Sequence, residues 1–80
     1  MLISFQESAL KDLKKIDKTE AKKILEAIKK LEYYPLVFNI KKLTNYYPPY
    51  RFRIGNYRVL FDIEDENIYI SFIKHRKEAY

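Results

Sequence analysis

Apolar residues in the first part of the chain recur at helical spacing. Ala9, Leu10, Leu13 and Ile16 form one such series, and Ala21, Ile24, Leu25, Ile28 and Leu31 form a second stripe. A short apolar stretch at residues 1–5 precedes them and reads as a strand. Ser4 with Glu7 has capping-box spacing for the first helix, and Asp17 with Glu20 repeats that signature for a second helix over about residues 19–34. The outer face of the second helix carries Lys22, Glu26 and Lys30, each four residues from the next and opposite in sign. The pattern predicts an amphipathic helical hairpin covering a sheet. A membrane-surface helix is the competing reading, and the acids interleaved with the lysines speak against it.

Pro35 ends the second helix, and residues 35–49 read as an irregular connector rich in aromatic and basic side chains. Beyond it the period changes to two. Tyr50, Phe52 and Ile54 alternate with Arg51 and Arg53, and Tyr57, Val59, Phe61 and Ile63 alternate with Arg58, Leu60 and Asp62. Gly55-Asn56, holding the chain's single glycine, fits a two-residue type II′ hairpin turn. A polar turn at Asp65-Glu66 leads to a last strand over roughly residues 67–74. The predicted order is β-α-α-β-β-β, an α+β domain spanning residues 1–80 with the helical hairpin packed on a small, mainly antiparallel sheet.

The hairpin fixes a register. With Gly55-Asn56 as the loop, Ile54 opposes Tyr57, Arg53 opposes Arg58 and Phe52 opposes Val59. Tyr50, Phe52, Ile54, Tyr57, Val59 and Phe61 then share the core face, and Arg51, Arg53 and Arg58 gather on the other. Extended through the next turn, the same count sets Arg58 opposite Ile73 with His75 diagonal to it, Leu60 opposite Ser71, and Asp62 opposite Tyr69. Like charges across a ladder are destabilising, so three clustered arginines are most simply explained by an anion on that face. The bland alternative is that they splay into water with their stems laid across the sheet.

Charge placement sharpens this picture. The net charge is +5, but residues 1–35 contribute eight lysines against six acids, while residues 33–61 hold Lys41, Lys42, Arg51, Arg53 and Arg58 and no acid. Arginine's planar fork suits bidentate binding of phosphate. Eighty residues give a core that is only just adequate, which excludes deep tunnels and two-domain clefts. The absence of cysteine removes disulfides, thiolate metal sites and a thiol nucleophile, and a single histidine leaves no cluster for zinc. No metal and no cofactor is expected. No apolar run is long enough for a membrane span or a signal peptide, so an intracellular, cytoplasmic domain is the expectation.

Three segments together resemble the RelE/ParE toxin superfamily: Ala9-Leu10-Lys11-Asp12-Leu13-Lys14-Lys15-Ile16-Asp17, the hairpin Arg51-Phe52-Arg53-Ile54-Gly55-Asn56-Tyr57-Arg58-Val59-Leu60-Phe61, and the ending His75-Arg76-Lys77-Glu78-Ala79-Tyr80. The resemblance spans essentially the whole chain. It implies a RelE-like, microbial-RNase-like fold and the toxin of a toxin–antitoxin pair. RelE-like members cleave messenger RNA in the ribosomal A site without metal. The 2′-hydroxyl attacks the adjacent phosphate and leaves a cyclic phosphate and a 5′-hydroxyl.

Carried over position by position, the resemblance assigns the basic residues before the turn to Arg51 and Arg53 and the arginine after it to Arg58. Arg76 and Tyr80 match the family's arginine and tyrosine near the end. RelE itself has lysines at the positions of Arg51 and Arg53, one of them assigned as general base, and an arginine cannot take that role because it stays protonated. His75 has a suitable intrinsic pKa for the base, Glu78 is a further candidate, and Tyr80 or Arg76 could assist the leaving oxygen. Lys41, Lys42 and Lys74 add basic contacts to RNA, and Tyr46, Tyr47 and Tyr50 offer rings on which bases could stack. The resemblance also implies partners: a small RelB-like antitoxin, the ribosome and messenger RNA, with operator DNA reached only through the antitoxin. Two other readings stay open. One is a ParE-like toxin that inhibits DNA gyrase without cutting RNA, and the other is a degenerate, inactive toxin.

Overall fold

Two short helices are held on one side of the sheet because each has a single apolar stripe to bury. The computed structural model describes residues 1–78 of the chain. Strand β1 (Leu2–Phe5) leads into helix α1 (Glu7–Lys14), and α2 (Lys18–Lys29) runs on through one 3-10 turn, Lys30–Tyr33. Asp17 caps α2, its carboxylate accepting the Thr19 amide at 3.1 Å. The α1 cap differs from expectation. Ser4 lies inside β1, and Gln6 takes the N-cap position with no side-chain bond.

The remaining strands are β2 (Ile40–Lys42), β3 (Tyr50–Ile54), β4 (Tyr57–Glu64) and β5 (Asn67–His75). They form one sheet in the order β1-β5-β4-β3-β2, with β1 parallel to β5 and every other pair antiparallel. The α+β architecture and the order β-α-α-β-β-β stand, with one strand more inside the connector. That strand, β2, is three residues long and carries no readable alternation. Asn39 (φ 67°) and Asn45 (φ 59°) take left-handed conformations on either side of it. Arg53 donates its amide to the Asn39 carbonyl at 3.0 Å, which extends the β2–β3 ladder.

Ala9, Ile24, Ile28 and Leu31 from the helices meet Phe52, Val59, Phe61, Ile68, Ile70 and Ile73 from the sheet in a single buried core. The β3–β4 hairpin keeps the expected register, with Phe52 opposite Val59 and Arg53 opposite Arg58. Gly55 has φ +56° and Asn56 is not in the left-handed region, as a type II′ turn requires.

The β4–β5 register holds only partway. Asp62 does oppose Tyr69, but Leu60 opposes Phe72 rather than Ser71, and Arg58 opposes Lys74 rather than Ile73. A bulge at Ser71 accounts for the difference, because one extra residue on β5 reverses which face each later side chain takes. The apolar residues required it: Ile68, Ile70 and Ile73 all reach the core, and no unbroken strand puts those three on one face.

Where β1 ends, α1 takes over the open edge of β5. The Gln6 amide donates to the Ile70 carbonyl at 2.9 Å, Ser8 Oγ donates to the Ser71 carbonyl, and Asp12 Oδ2 accepts the Ile73 amide at 2.9 Å. Helix side chains thus satisfy backbone groups that a sixth strand would otherwise have to pair.

Candidate active site

The outer face of the sheet presents its cations in two ladder rows. Nearest the Gly55 turn, Arg53, Arg58 and Lys74 stand opposite one another on β3, β4 and β5. One step further along lie Lys41, Arg51, Leu60 and Phe72. Lys41, Arg51, Arg53 and Arg58 line one open depression of about 480 Å³ together with Asn39. The predicted arginine trio is therefore assembled, and Lys41 joins it.

The three arginines differ in how they are held. Arg51 is only 7% exposed, and its guanidinium lies 4.6 Å from the centroid of the Tyr46 ring. Arg58 is 8% exposed, and its Nη1 donates to the Tyr57 carbonyl at 3.2 Å with a longer contact to Gly55 at 3.5 Å. Arg53 is exposed. Two oriented guanidinium groups and one exposed one suit the capture of a phosphodiester, because fixed donors need no rearrangement when charge builds on the phosphate oxygens.

Three expected site residues lie elsewhere. His75 opposes Tyr57, with ring centroids 5.3 Å apart at 82°, and Tyr57 packs against the core. The histidine is thus on the helix side of the sheet, not diagonal to Arg58, because the Ser71 bulge has reversed its face. Its Nδ1 accepts the Lys77 amide at 3.3 Å, which leaves the proton of the neutral ring on Nε2. A ring so placed is badly disposed to remove a proton on the arginine face. Lys42 and Tyr50 are a cross-strand pair on the helix side as well. Tyr50 stacks on Phe61 at 5.3 Å, meets Tyr34 edge-on at 6.0 Å and lies under Lys42 Nζ at 5.5 Å. It is a packing residue, and its alternation with Arg51 already assigned it to that face.

Tyr46 is exposed beside Arg51, where a base could reach it, and Tyr47 is exposed next to it in the chain. Arg76 donates its amide to the Asn56 carbonyl at 2.7 Å, which brings the start of the C-terminal segment against the hairpin turn. Glu78 donates its amide to the His75 carbonyl at 2.7 Å. Tyr80 lies outside the described residues. Sequence reasoning missed two features, the place of Lys74 in the arginine row and the contact of Asp12 with Lys74. The phase break at Ser71 carried the signal for the first. The second joins positions 62 residues apart and left no local trace.

Residues 3–80 match the model of the ParE toxin of the type II toxin–antitoxin system parDE. The chain belongs to the RelE/ParE toxin superfamily. Within it, toxin RelE3 of Methanocaldococcus jannaschii is 31% identical over 84 aligned positions, covering all of this chain and 96% of that protein. The RelB-RelE antitoxin–toxin complex from Methanococcus jannaschii contains a chain that superposes with a TM-score of 0.79 at 30% identity, over all of this chain and 95% of that one. The archaeal RelE-RelB complex from Pyrococcus horikoshii OT3 gives a TM-score of 0.78 at 29% identity, with 98% and 97% covered. Both the family's order of elements and the mixed sheet are shared. This superfamily member is a RelE-type toxin of a toxin–antitoxin system. Among the described residues, no helix is long and apolar enough to cross a membrane, and no group of three or more His, Cys, Asp or Glu side chains could hold a metal ion.

Proposed function

We propose that this toxin is a metal-independent, ribosome-dependent endoribonuclease that inhibits translation by cutting messenger RNA in the cytoplasm, with the whole activity carried by one domain. The observation that supports it best is the row of Arg53 and Arg58 beside Arg51 and Lys41 around one depression. In the proposed reaction the ribose 2′-oxygen forms a bond to the adjacent phosphorus and the bond from phosphorus to the 5′-oxygen breaks. A cyclic phosphate and a 5′-hydroxyl result. The phosphorane-like transition state carries one more negative charge than the substrate, and Arg51, Arg53 and Arg58 stabilise that increment.

Proton removal falls to the C-terminal segment. With His75 on the far face and the Asp12 carboxylate engaged by Lys74 and the Ile73 amide, the 2′-proton is assigned to Glu78, and Arg76 with Tyr80 serves the departing 5′-oxygen. Tyr46 and Tyr47 supply stacking surfaces, and Lys41 and Lys74 hold flanking phosphates. A short antitoxin of RelB type, complementary to the +5 charge, is the natural partner, since the two structures compared above are complexes of a RelE toxin with RelB. Operator DNA is reached through that antitoxin.

The test is induced expression in a bacterium with mapping of messenger RNA ends. Wild type should arrest growth and generate new 5′-hydroxyl ends, and Arg58→Ala should lower cleavage by about 10²–10³-fold, the typical loss on removing one transition-state donor. Growth arrest that persists in Arg58→Ala, with no new ends and with gyrase supercoiling blocked, would replace this proposal with the gyrase reading.

A further inference from the structure

Lys74 completes the cationic row, and its position is set from outside the sheet. Residues directly across a ladder have Cβ atoms about 4.5–5.5 Å apart, so Arg53, Arg58 and Lys74 repel one another unless each is held. Arg58 is tied back to the turn by the Tyr57 carbonyl. Lys74 is drawn the other way: its Nζ meets Asp12 Oδ1 at 3.2 Å and lies 5.4 Å from the Phe72 ring centroid. Asp12, on the last turns of α1, is 11% exposed at its side chain. Its second oxygen accepts the Ile73 amide at 2.9 Å, so the strand orients the carboxylate and the carboxylate orients the ammonium. One ammonium hydrogen serves Asp12, and two more remain on a side chain one-third exposed to solvent.

We infer that Asp12 is a positioning residue of the nuclease site, holding Lys74 at the end of the row so that its ammonium contacts the phosphodiester beside Arg53 and Arg58. The inference rests on the RNA-cleavage proposal above and gives Lys74 a fixed place in it. A lysine carries a compact charge on a flexible four-carbon stem, and a free one would lose rotamer entropy on meeting phosphate. Asp12 removes that loss beforehand. It also lowers the mutual repulsion of the empty row, while its own charge is neutralised by the two donors it accepts.

A double-mutant cycle tests this, using wild type, Lys74→Met, Asp12→Asn and the double variant, with Lys74→Arg as the conservative control. Asparagine can still accept the Ile73 amide, so Asp12→Asn keeps the strand edge but offers the ammonium an NH2 group in place of an oxygen. Two readouts are taken: cleavage of messenger RNA on translating ribosomes, and affinity for a single-stranded RNA oligonucleotide made uncleavable by 2′-deoxy substitution. Lys74→Met should lower cleavage about ten- to a hundred-fold, as expected for a charge-assisted hydrogen bond, and Lys74→Arg should recover most of it. Asp12→Asn should lower both readouts about five-fold alone and by less than about two-fold in the Lys74→Met background, since residues acting through one another are not additive. Effects of Asp12→Asn that multiply with those of Lys74→Met would make Asp12 merely structural and overturn the inference. So would an unchanged Lys74→Met, or an oligonucleotide that no variant binds. A wild type that binds the oligonucleotide with this coupling but never cleaves would overturn the nuclease proposal and leave the positioning intact.

Discussion

The two faces of this sheet are built from the same strands and obey different rules. On the helix side, Phe52, Val59, Phe61, Ile68, Ile70 and Ile73 close against α1 and α2, and each contributes by being out of water. On the other side, Arg51, Arg53, Arg58 and Lys74 alternate with those residues and stay near one another against their charge. The first face holds the chain together. The second is kept at some expense of stability, and its groups are restrained individually by Tyr46, the turn carbonyls and Asp12. A small protein can separate folding from function in this way because strand alternation gives every second residue to each task.

The sharpest way to break the comparison is to make the same truncation on each side. Phe61→Ala removes a fully buried ring at the centre of the core and should cost about 3–5 kcal/mol, a large part of a small domain's stability. Thermal unfolding followed by circular dichroism should show it. Arg53→Ala, one face over and exposed, should stay within about 0.5 kcal/mol while cleavage falls. Equal losses of stability in the two variants would mean that the faces are not separate.

Deleting Ser71 tests the divide itself. Removing the extra residue leaves Phe61 opposite Ile70 and Leu60 opposite Phe72 in an unbroken ladder, so Ile73 keeps its place in the core and Lys74 its place in the row. The deletion should cost about 1 kcal/mol in a denaturant titration, from loss of the hydrogen bond between Ser8 and the Ser71 carbonyl. A loss of about 2–3 kcal/mol, the size expected for expelling the Ile73 side chain, would show that the later residues of β5 had changed sides.

The helix side was legible in the sequence because burial writes a period into it. The stripes of α1 and α2 and the alternation of β3 and β4 follow directly from residues such as Ile24, Ile28, Phe52 and Val59. The Arg53–Arg58 pairing was legible too, since Gly55-Asn56 fixes a two-residue turn. What was not legible depended on single residues or on distant ones. One bulge residue moved His75 away from the site and Lys74 into it, and the triple of Ile68, Ile70 and Ile73 was the only sign of it. Strand β2 is too short to show a period. Asp12 reads as one polar position among many on α1, and only the packing of that helix against β5 gives it a role.

A smaller test concerns the hydroxyl pair at the edge of the core. Tyr34 has its pKa raised above the ordinary 10.0, first by burial and then by the neighbouring Tyr50, with which it shares a hydrogen bond. A raised value means the folded state favours the neutral phenol. That contribution is complete below about pH 10 and is lost as the pH climbs through the folded-state value. Thermal midpoints measured from pH 8 to 12 should therefore fall less steeply for Tyr34→Phe than for wild type, and identical slopes would count against the pairing.

The parallel register of Leu2 with Asn67 has a kinetic consequence. The β3–β4 and β4–β5 hairpins are local in sequence and can close early, so Arg53, Arg58 and Lys74 can meet in a chain that is otherwise open. Asp12 cannot reach Lys74 until β1 pairs with β5 and brings α1 with it, a step that joins segments more than sixty residues apart. The carboxylate that restrains the row thus arrives in the same late event that closes the core. A partly folded chain therefore carries its cations unrestrained, and parting β1 from β5 releases Lys74 at the moment it opens the fold.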